Sequence, residues 1–147
     1  DCSYLVIVPH VVPNSPPLHK APYIFYVYDS FKFPGPFVPD AAVEIDSVMD
    51  KKTAMLDCHA SQVYEWLPFA GSYTAEVPPE NEPAARLVWL KTYLEKREPV
   101  ITESYREILE ERYGKEEGLK IRYCEAFQLC EYGAQGNIKQ IRKLFPL

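Results

Sequence analysis

Proline constrains the folding of this chain more than any other residue type. The sequence has 14 Pro and 6 Gly among 147 residues, concentrated in Pro9–Pro39 and Leu67–Pro83. Because proline fixes φ and has no N–H to donate, it interrupts helices and the interior of sheets. We therefore expect both stretches to be rich in loops, with short regular elements between the prolines.

Two short strands and a helix are predicted in the first half of the chain. Tyr23–Asp29 is aromatic and β-branched, and Ala41–Ile45 is a second short apolar run; both patterns favour strands. A helix should follow at once, capped by Asp46 or Ser47, since Ser47-x-x-Asp50 resembles a capping box. A strand that leads directly into a helix is typical of an α/β sheet.

The second half is predicted to be mainly helical. Glu80–Arg97 carries apolar residues on one broad helical face, namely Ala84, Leu87, Val88, Leu90 and Leu94. Pro99–Tyr113 is predicted to be a second helix that stops at Gly114. Leu119–Glu131 fits neither period cleanly and is assigned as extended, and Ile138–Leu144 is assigned as a short helix.

Charge and cysteine content disfavour several classes of protein. The net charge is −5, from 16 basic and 21 acidic residues without a basic stripe, which argues against nucleic-acid binding. No apolar run reaches the ~18 residues of a membrane span. The spacing of the four cysteines favours free thiols in a reducing, cytoplasmic compartment, with a secreted protein as the alternative; they are Cys2, Cys58, Cys124 and Cys130.

The histidines do not predict a zinc site by themselves. His10 and His19 lie in a proline-rich loop with no acidic residue between them, and His59 is distant in sequence. A catalytic zinc ion needs three protein ligands and an open position. Cys58 and His59 do not form a nucleophile–base pair either, because adjacent helical residues point about 100° apart. Cys58 is interpreted as a small core residue.

Three segments carry a pattern found in one enzyme family. They are Pro36-Phe37-x-Pro39-Asp40 with Val43-Glu44-Ile45-Asp46, then Lys51-Lys52-Thr53-Ala54-Met55-Leu56-Asp57-Cys58-His59-Ala60-Ser61-Gln62, and finally Tyr123-Cys124-Glu125-Ala126-Phe127. In order and spacing they resemble the C-terminal part of the PIG-L/LmbE-type deacetylases. These zinc enzymes remove the N-acetyl group from N-acetylglucosamine-containing molecules. The resemblance covers Asp1 to about Trp66 and, more weakly, Arg122–Glu131.

The resemblance implies a fold and a domain organisation. The fold would be α/β, the C-terminal part of a Rossmann-like parallel sheet with flanking helices. Residues 1–70 would form the C-terminal portion of the deacetylase domain. Residues 71–147 would form a helical extension that packs on it and ends in an extended segment and a short helix.

The resemblance also implies a chemistry that this chain holds only in part. The family binds zinc through a Pro-His-Pro-Asp-Asp and a His-Pro-Asp-His segment, and neither occurs in this sequence. Zinc is therefore expected in a full-length family member, while this chain would bind none and be inactive alone. His59, Ser61 and Gln62 match the family's His-x-Ser-Gln motif and would contact substrate at the active-site rim. The substrate would be an amino sugar or a glycolipid, and homo-oligomerisation is left open.

A non-catalytic binding module is the alternative function. Aromatic residues cluster between positions 23 and 37: Tyr23, Phe25, Tyr26, Tyr28, Phe31, Phe33 and Phe37. Stacked aromatic rings suit sugars, although the same residues also suit a strand and loop core. The alternative is therefore an α/β carbohydrate-binding or interaction domain that uses the loop Asp29–Phe37 and needs no metal.

Overall fold

A small sheet and a group of helices make up the protein. The computed structural model describes the backbone of residues 2–145 and the side chains of residues 4–145. The elements of the first half are α1 (Cys2–Leu5), β1 (Phe25–Val27), β2 (Ala41–Glu44), a 3-10 turn (Asp46–Val48), α2 (Met49–Asp57), a π-helix (Ser61–Trp66) and α3 (Leu67–Ala70). The second half contains another 3-10 turn (Thr74–Glu76), α4 (Pro83–Ser104), α5 (Arg106–Tyr113), α6 (Lys115–Lys120), β3 (Cys124–Leu129) and α7 (Ile138–Arg142).

The strands lie where the sequence predicts extended chain. Strand β1 falls within Tyr23–Asp29, β2 within Ala41–Ile45 and β3 within Leu119–Glu131. The predicted short helix Ile138–Leu144 contains α7. Residues 6–24 and 28–40 form neither helix nor strand, which agrees with the loops predicted from their prolines.

The sheet is antiparallel, so the prediction of a Rossmann-like parallel sheet is wrong, although the coarse α/β class holds. Its order is β1-β3-β2, with Phe25 opposite Leu129 and Glu44 opposite Cys124. The β–α step from β2 to α2 is present, but β3 returns only after α3–α6 and enters in the opposite direction. A local β–α step does not fix the direction of a strand that is distant in sequence. The central strand comes from residues 71–147 and its neighbours from residues 1–70, so the two predicted units share one sheet.

The predicted capping box at the start of α2 is wrong. The residue before the helix is Val48, and no side chain caps the N-terminus. Asp46 instead makes a tertiary contact, because its carboxylate accepts the N–H of Tyr123 at 2.6 Å and that of Arg122 at 3.1 Å. The Asp46 carboxylate therefore joins the start of this helical segment to the residues that precede β3.

Helix α4 continues through Pro99, where the sequence predicts a boundary between two helices. It ends at Ser104, because the next residue, Tyr105, has a non-helical φ of −119°. Helix α5 then stops before Gly114, whose φ is +86°, as predicted. Every fourth residue of the inner face is buried: Leu90, Leu94, Glu98 and Thr102. Packing of this stripe against α2 and β3 offsets the hydrogen bond that Pro99 cannot donate.

Two hydrophobic clusters form the interior. The larger one lies between α2, the π-helix and α4, and contains Ile45, Met49, Val63, Tyr64, Leu90, Leu94 and Tyr123. The smaller one lies between β2, β3 and α5, and contains Ala42, Leu109, Ile121 and Cys124. Cys58 belongs to neither and is exposed, so its interpretation as a core residue is wrong, whereas Cys124 and Cys130 are buried free thiols. Cys2 lies outside the described side chains.

A large share of the surface remains accessible. The chain exposes 10643 Å², whereas a compact protein of 17.0 kDa exposes about 7700 Å². Within the part of the chain that the structure describes, no helix combines the length and the apolar character that a membrane crossing requires.

Candidate functional site

A lysine from α2 is placed between two carboxylates from distant parts of the chain. Lys52 Nζ lies 2.8 Å from Glu98 Oε2 on α4 and 3.4 Å from Glu125 Oε1 on β3. The Glu98 side chain is only 7% exposed, while Glu125 is half-exposed. A carboxylate buried to this degree requires a partner, because an uncompensated charge in the interior is costly. Lys52 therefore holds α2, α4 and β3 together at one point.

Two cavities flank this lysine, and we call them the Lys52 cavities. The first, of about 390 Å³, has an apolar wall of Ile45, Met55 and Leu56 and carries Lys51 and His59 at its edge. The second, of about 310 Å³, is lined by other residues, including Tyr28, Arg97, Glu98, Ile101 and Cys124. Lys52, Leu56 and Glu125 line both cavities. The two volumes lie within or near the range of small-molecule sites.

Cys124, which lines the second cavity, is not a candidate nucleophile. Burial raises the pKa of the Cys124 thiol, so this cysteine stays protonated and is a poor nucleophile. Its backbone N–H donates to Thr102 Oγ1 at 3.0 Å, and that hydroxyl donates to the Glu98 carbonyl at 3.1 Å. The charged groups that can bind a ligand in this cavity are the ammonium of Lys52, the guanidinium of Arg97 and the carboxylates of Glu98 and Glu125.

The three site residues predicted from the sequence do not meet in one cavity. His59 is exposed and lines the first of the Lys52 cavities. Ser61 and Gln62 lie on the π-helix and line a different hollow, and the two cavities share no residue. A single small group cannot therefore contact all three side chains through either cavity.

The three segments that carry the family resemblance come together around β3. The Asp40 N–H donates to the Phe127 carbonyl at 2.9 Å, and the Asp40 carboxylate accepts the Leu129 N–H at 2.7 Å. Asp46 binds the N–H of Tyr123 at the other end of the same strand pair. Lys52, in the second segment, forms an ion pair with Glu125 in the third. Each of the first two segments therefore contacts the third.

The described residues do not fit a zinc ion. Among residues 4–145, no three or more His, Cys, Asp or Glu side chains are grouped so that they could hold a metal. His10 and His19 are both exposed in the loop that precedes β1.

Sequence reasoning missed Lys52, Glu98 and Glu125. A signal for two of them was present: Lys52 lies between Met49 and Leu56 on α2, at the spacing of the apolar face, and Glu98 continues the apolar stripe of α4. A charged residue at such a position predicts a buried partner of opposite charge. The sequence does not say which residue that partner is, since the Lys52–Glu98 pair spans 46 residues.

Comparison with known proteins finds no relative of this chain. The chain matches no protein-family model, no curated protein and no solved structure. The resemblance of the three segments to the PIG-L/LmbE-type deacetylases stays a prediction from the sequence.

Proposed function

We propose that this chain is the substrate-binding part of a cytoplasmic, zinc-dependent hydrolase that removes the N-acetyl group from an N-acetylglucosamine-containing molecule. The metal ligands and the catalytic base would come from residues outside this chain. The chain itself would supply the Lys52 cavities and the His59 rim.

The observation that supports the proposal is the convergence of the three segments on β3. Each motif is short and only moderately specific, and their contacts join distant residues: Asp46 binds Tyr123 across 77 positions, and Asp40 binds Leu129 across 89. Segments that belong to one site are expected to pack together, and Asp40 and Lys52 contact β3 while Asp46 binds Tyr123, the residue before it.

The Lys52 cavities offer the interactions that an amino sugar needs. Lys51 and His59 at the edge of the first cavity can donate hydrogen bonds to sugar hydroxyls or to an acetamide carbonyl. The apolar wall of Ile45 and Met55 suits a methyl group or the aglycone. Lys52 itself is held in place by two carboxylates, which limits the entropy lost when it binds a ligand.

Acetate release tests this proposal. The 147-residue chain, supplied with zinc and an N-acetylglucosamine derivative, should release no acetate. The polypeptide encoded by the continuous reading frame upstream of Asp1 should contain Pro-His-Pro-Asp-Asp and His-Pro-Asp-His and should release acetate in a zinc-dependent way. In that polypeptide, His59→Ala should raise KM and leave the zinc content unchanged. Zinc-dependent activity of the chain alone, or a frame without those motifs, would refute the proposal.

A second candidate is a metal-independent carbohydrate-binding module, and one observation favours it. The Phe33 ring is 90% exposed, and Phe31 beside it is also exposed. The ring centroid of Phe37 instead lies 6.0 Å from those of Tyr28 and Tyr105, so this ring packs against the protein and is less available to a ligand. Under this function Phe33→Ala should abolish sugar binding without a change in the unfolding midpoint. A sugar affinity that Phe33→Ala leaves intact would exclude this loop.

A further inference from the structure

Two aromatic rings form an exposed shelf at the junction of the π-helix and α3. The side chain of Trp66 is 57% exposed and that of Phe69 is 73% exposed. Their ring centroids lie 6.4 Å apart, and the planes differ by 35°. Removal of a large aromatic side chain from water is favourable. An adjacent pair of exposed rings therefore suggests a surface that binds a ligand or a partner.

Polar side chains surround this shelf. Ser61, Gln62, Glu65 and Thr74 line the same open hollow of about 600 Å³ as the two rings. In residues 4–145, these four side chains make no hydrogen bond or ion pair to another protein group. They therefore present two hydroxyls, an amide and a carboxylate that can exchange water for a ligand. Four of the six lining residues belong to the π-helix, a rare conformation that is frequent at functional sites.

The chemistry of the shelf points to one class of ligand. A pyranose ring has a face of C–H groups that stacks on an aromatic ring and an edge of hydroxyls that both donate and accept hydrogen bonds. The charged side chain in the lining is Glu65, whose negative charge disfavours phosphates, nucleic acids and anionic lipid surfaces. An uncharged saccharide satisfies the rings, the Gln62 amide and the Glu65 carboxylate together.

We propose that Trp66 and Phe69, with Gln62 and Glu65, form a saccharide-binding platform that stacks an uncharged pyranose ring. Binding at this platform needs neither zinc nor the Lys52 cavities, so the inference does not rest on the proposed hydrolase function. It places Ser61 and Gln62, which the family resemblance assigns to the active-site rim, at a sugar site outside the Lys52 cavities. It also differs from the second candidate function, because that one uses Phe33 in the loop Asp29–Phe37.

The two tryptophans make the platform directly observable. The chain contains Trp66 and Trp89 and no other tryptophan, and Trp89 is half-buried with its ring stacked 5.5 Å from that of Tyr93. ¹⁵N-labelled chain would be titrated with the β-1,4-linked disaccharide of N-acetylglucosamine and with cellobiose, in the presence of a metal chelator. We expect the indole N–H resonance of Trp66 to shift with at least one disaccharide, while that of Trp89 stays in place.

Matched variants complete the test. Trp66→Ala and Phe69→Ala should each weaken binding at least tenfold, Trp66→Phe should weaken it less, and the exposed controls Phe33→Ala and Val88→Ala should leave it unchanged. All of these side chains are exposed, so the fold should survive, as an unchanged thermal transition would verify. Absence of a Trp66 shift with millimolar concentrations of either sugar, or binding that Trp66→Ala does not weaken, would overturn the inference. Self-association that Trp66→Ala abolishes would overturn it as well, since the rings would then be covered by a second copy.

Discussion

Replacing Lys52 by methionine tests the electrostatic centre of the candidate site. Methionine keeps most of the apolar stem and removes the ammonium that lies 2.8 Å from Glu98. The Glu98 carboxylate, 7% exposed, would then be buried without its counter-charge. Removal of one partner of a buried ion pair costs about 3–5 kcal/mol. Because Lys52 is 23% exposed and cavities adjoin it, water can reach the carboxylate in part, and we expect the lower end, about 3 kcal/mol.

The exposed pair Lys91–Asp50 provides a matched control. Its Nζ–Oδ1 distance is 2.7 Å, almost the same as that of Lys52–Glu98, but both side chains are exposed. The hydrogen bond with Asp50 raises the pKa of Lys91. Exposed pairs are screened by solvent and contribute little. Lys91→Met should therefore leave the urea midpoint nearly unchanged while Lys52→Met lowers it strongly.

A double-mutant cycle separates the charge from the packing. Glu98→Gln in the Lys52→Met background replaces the unpaired carboxylate by a neutral amide, so it should recover part of the lost stability. We expect a coupling free energy of about 2 kcal/mol between the two positions, measured from urea unfolding of the four proteins. An effect of Lys52→Met as small as that of Lys91→Met, or a double variant no more stable than Lys52→Met, would refute the reasoning.

Three further predictions follow from packing, burial and pH. A Cβ at Gly118 would lie 2.6 Å from the backbone of the preceding helix, so Gly118→Ala should lower the urea unfolding free energy by about 1–2 kcal/mol, whereas Gly35→Ala, which meets open space, should not. Ellman's reagent on the native chain should label exposed Cys58 and spare buried Cys124, as peptide mass spectrometry would show. Labelling of Cys124 before Cys58 would contradict this prediction. Burial raises the pKa of Tyr73 to about 12; the folded state then keeps a proton that the unfolded state loses above pH ~10. This contribution to stability is present below pH ~10 and disappears as the pH rises to about 12, and Tyr73→Phe should flatten that fall.

The sequence predicted local structure where one physical cause dominates. Tyr23–Asp29 contains a strand because its β-branched and aromatic residues lie between Pro22 and Pro34. Ala41–Ile45 contains one directly after Pro39, with Val43 and Ile45 as its β-branched residues. Gly114 ends α5 because its φ of +86° suits glycine. The boundary predicted at Pro99 is wrong because burial of the stripe through Glu98 and Thr102 outweighs one missing hydrogen bond.

The candidate site was predictable only in part. His59 lines a cavity, but Lys52, Glu98 and Glu125 are brought together by the return of β3 beside β2, and strand direction is a property of the whole topology. The same limitation explains the wrong parallel sheet. A β–α step predicts what the next few residues do, whereas the pairing of β2 with β3 joins residues about 80 positions apart, such as Ala42 and Ala126.

The exposed surface explains why apolar patterning overestimated burial. Leu90 and Leu94, on the predicted face of α4, are buried, but Val88 on the same predicted face is 66% exposed. The chain as a whole exposes 10643 Å², roughly 2900 Å² more than a compact protein of its mass. This excess is larger than the area of about 800 Å² that one side of a standard interface covers. Trp66 and Phe69 belong to that exposed surface, and their polar surroundings are the reason for proposing a saccharide as the ligand that covers them.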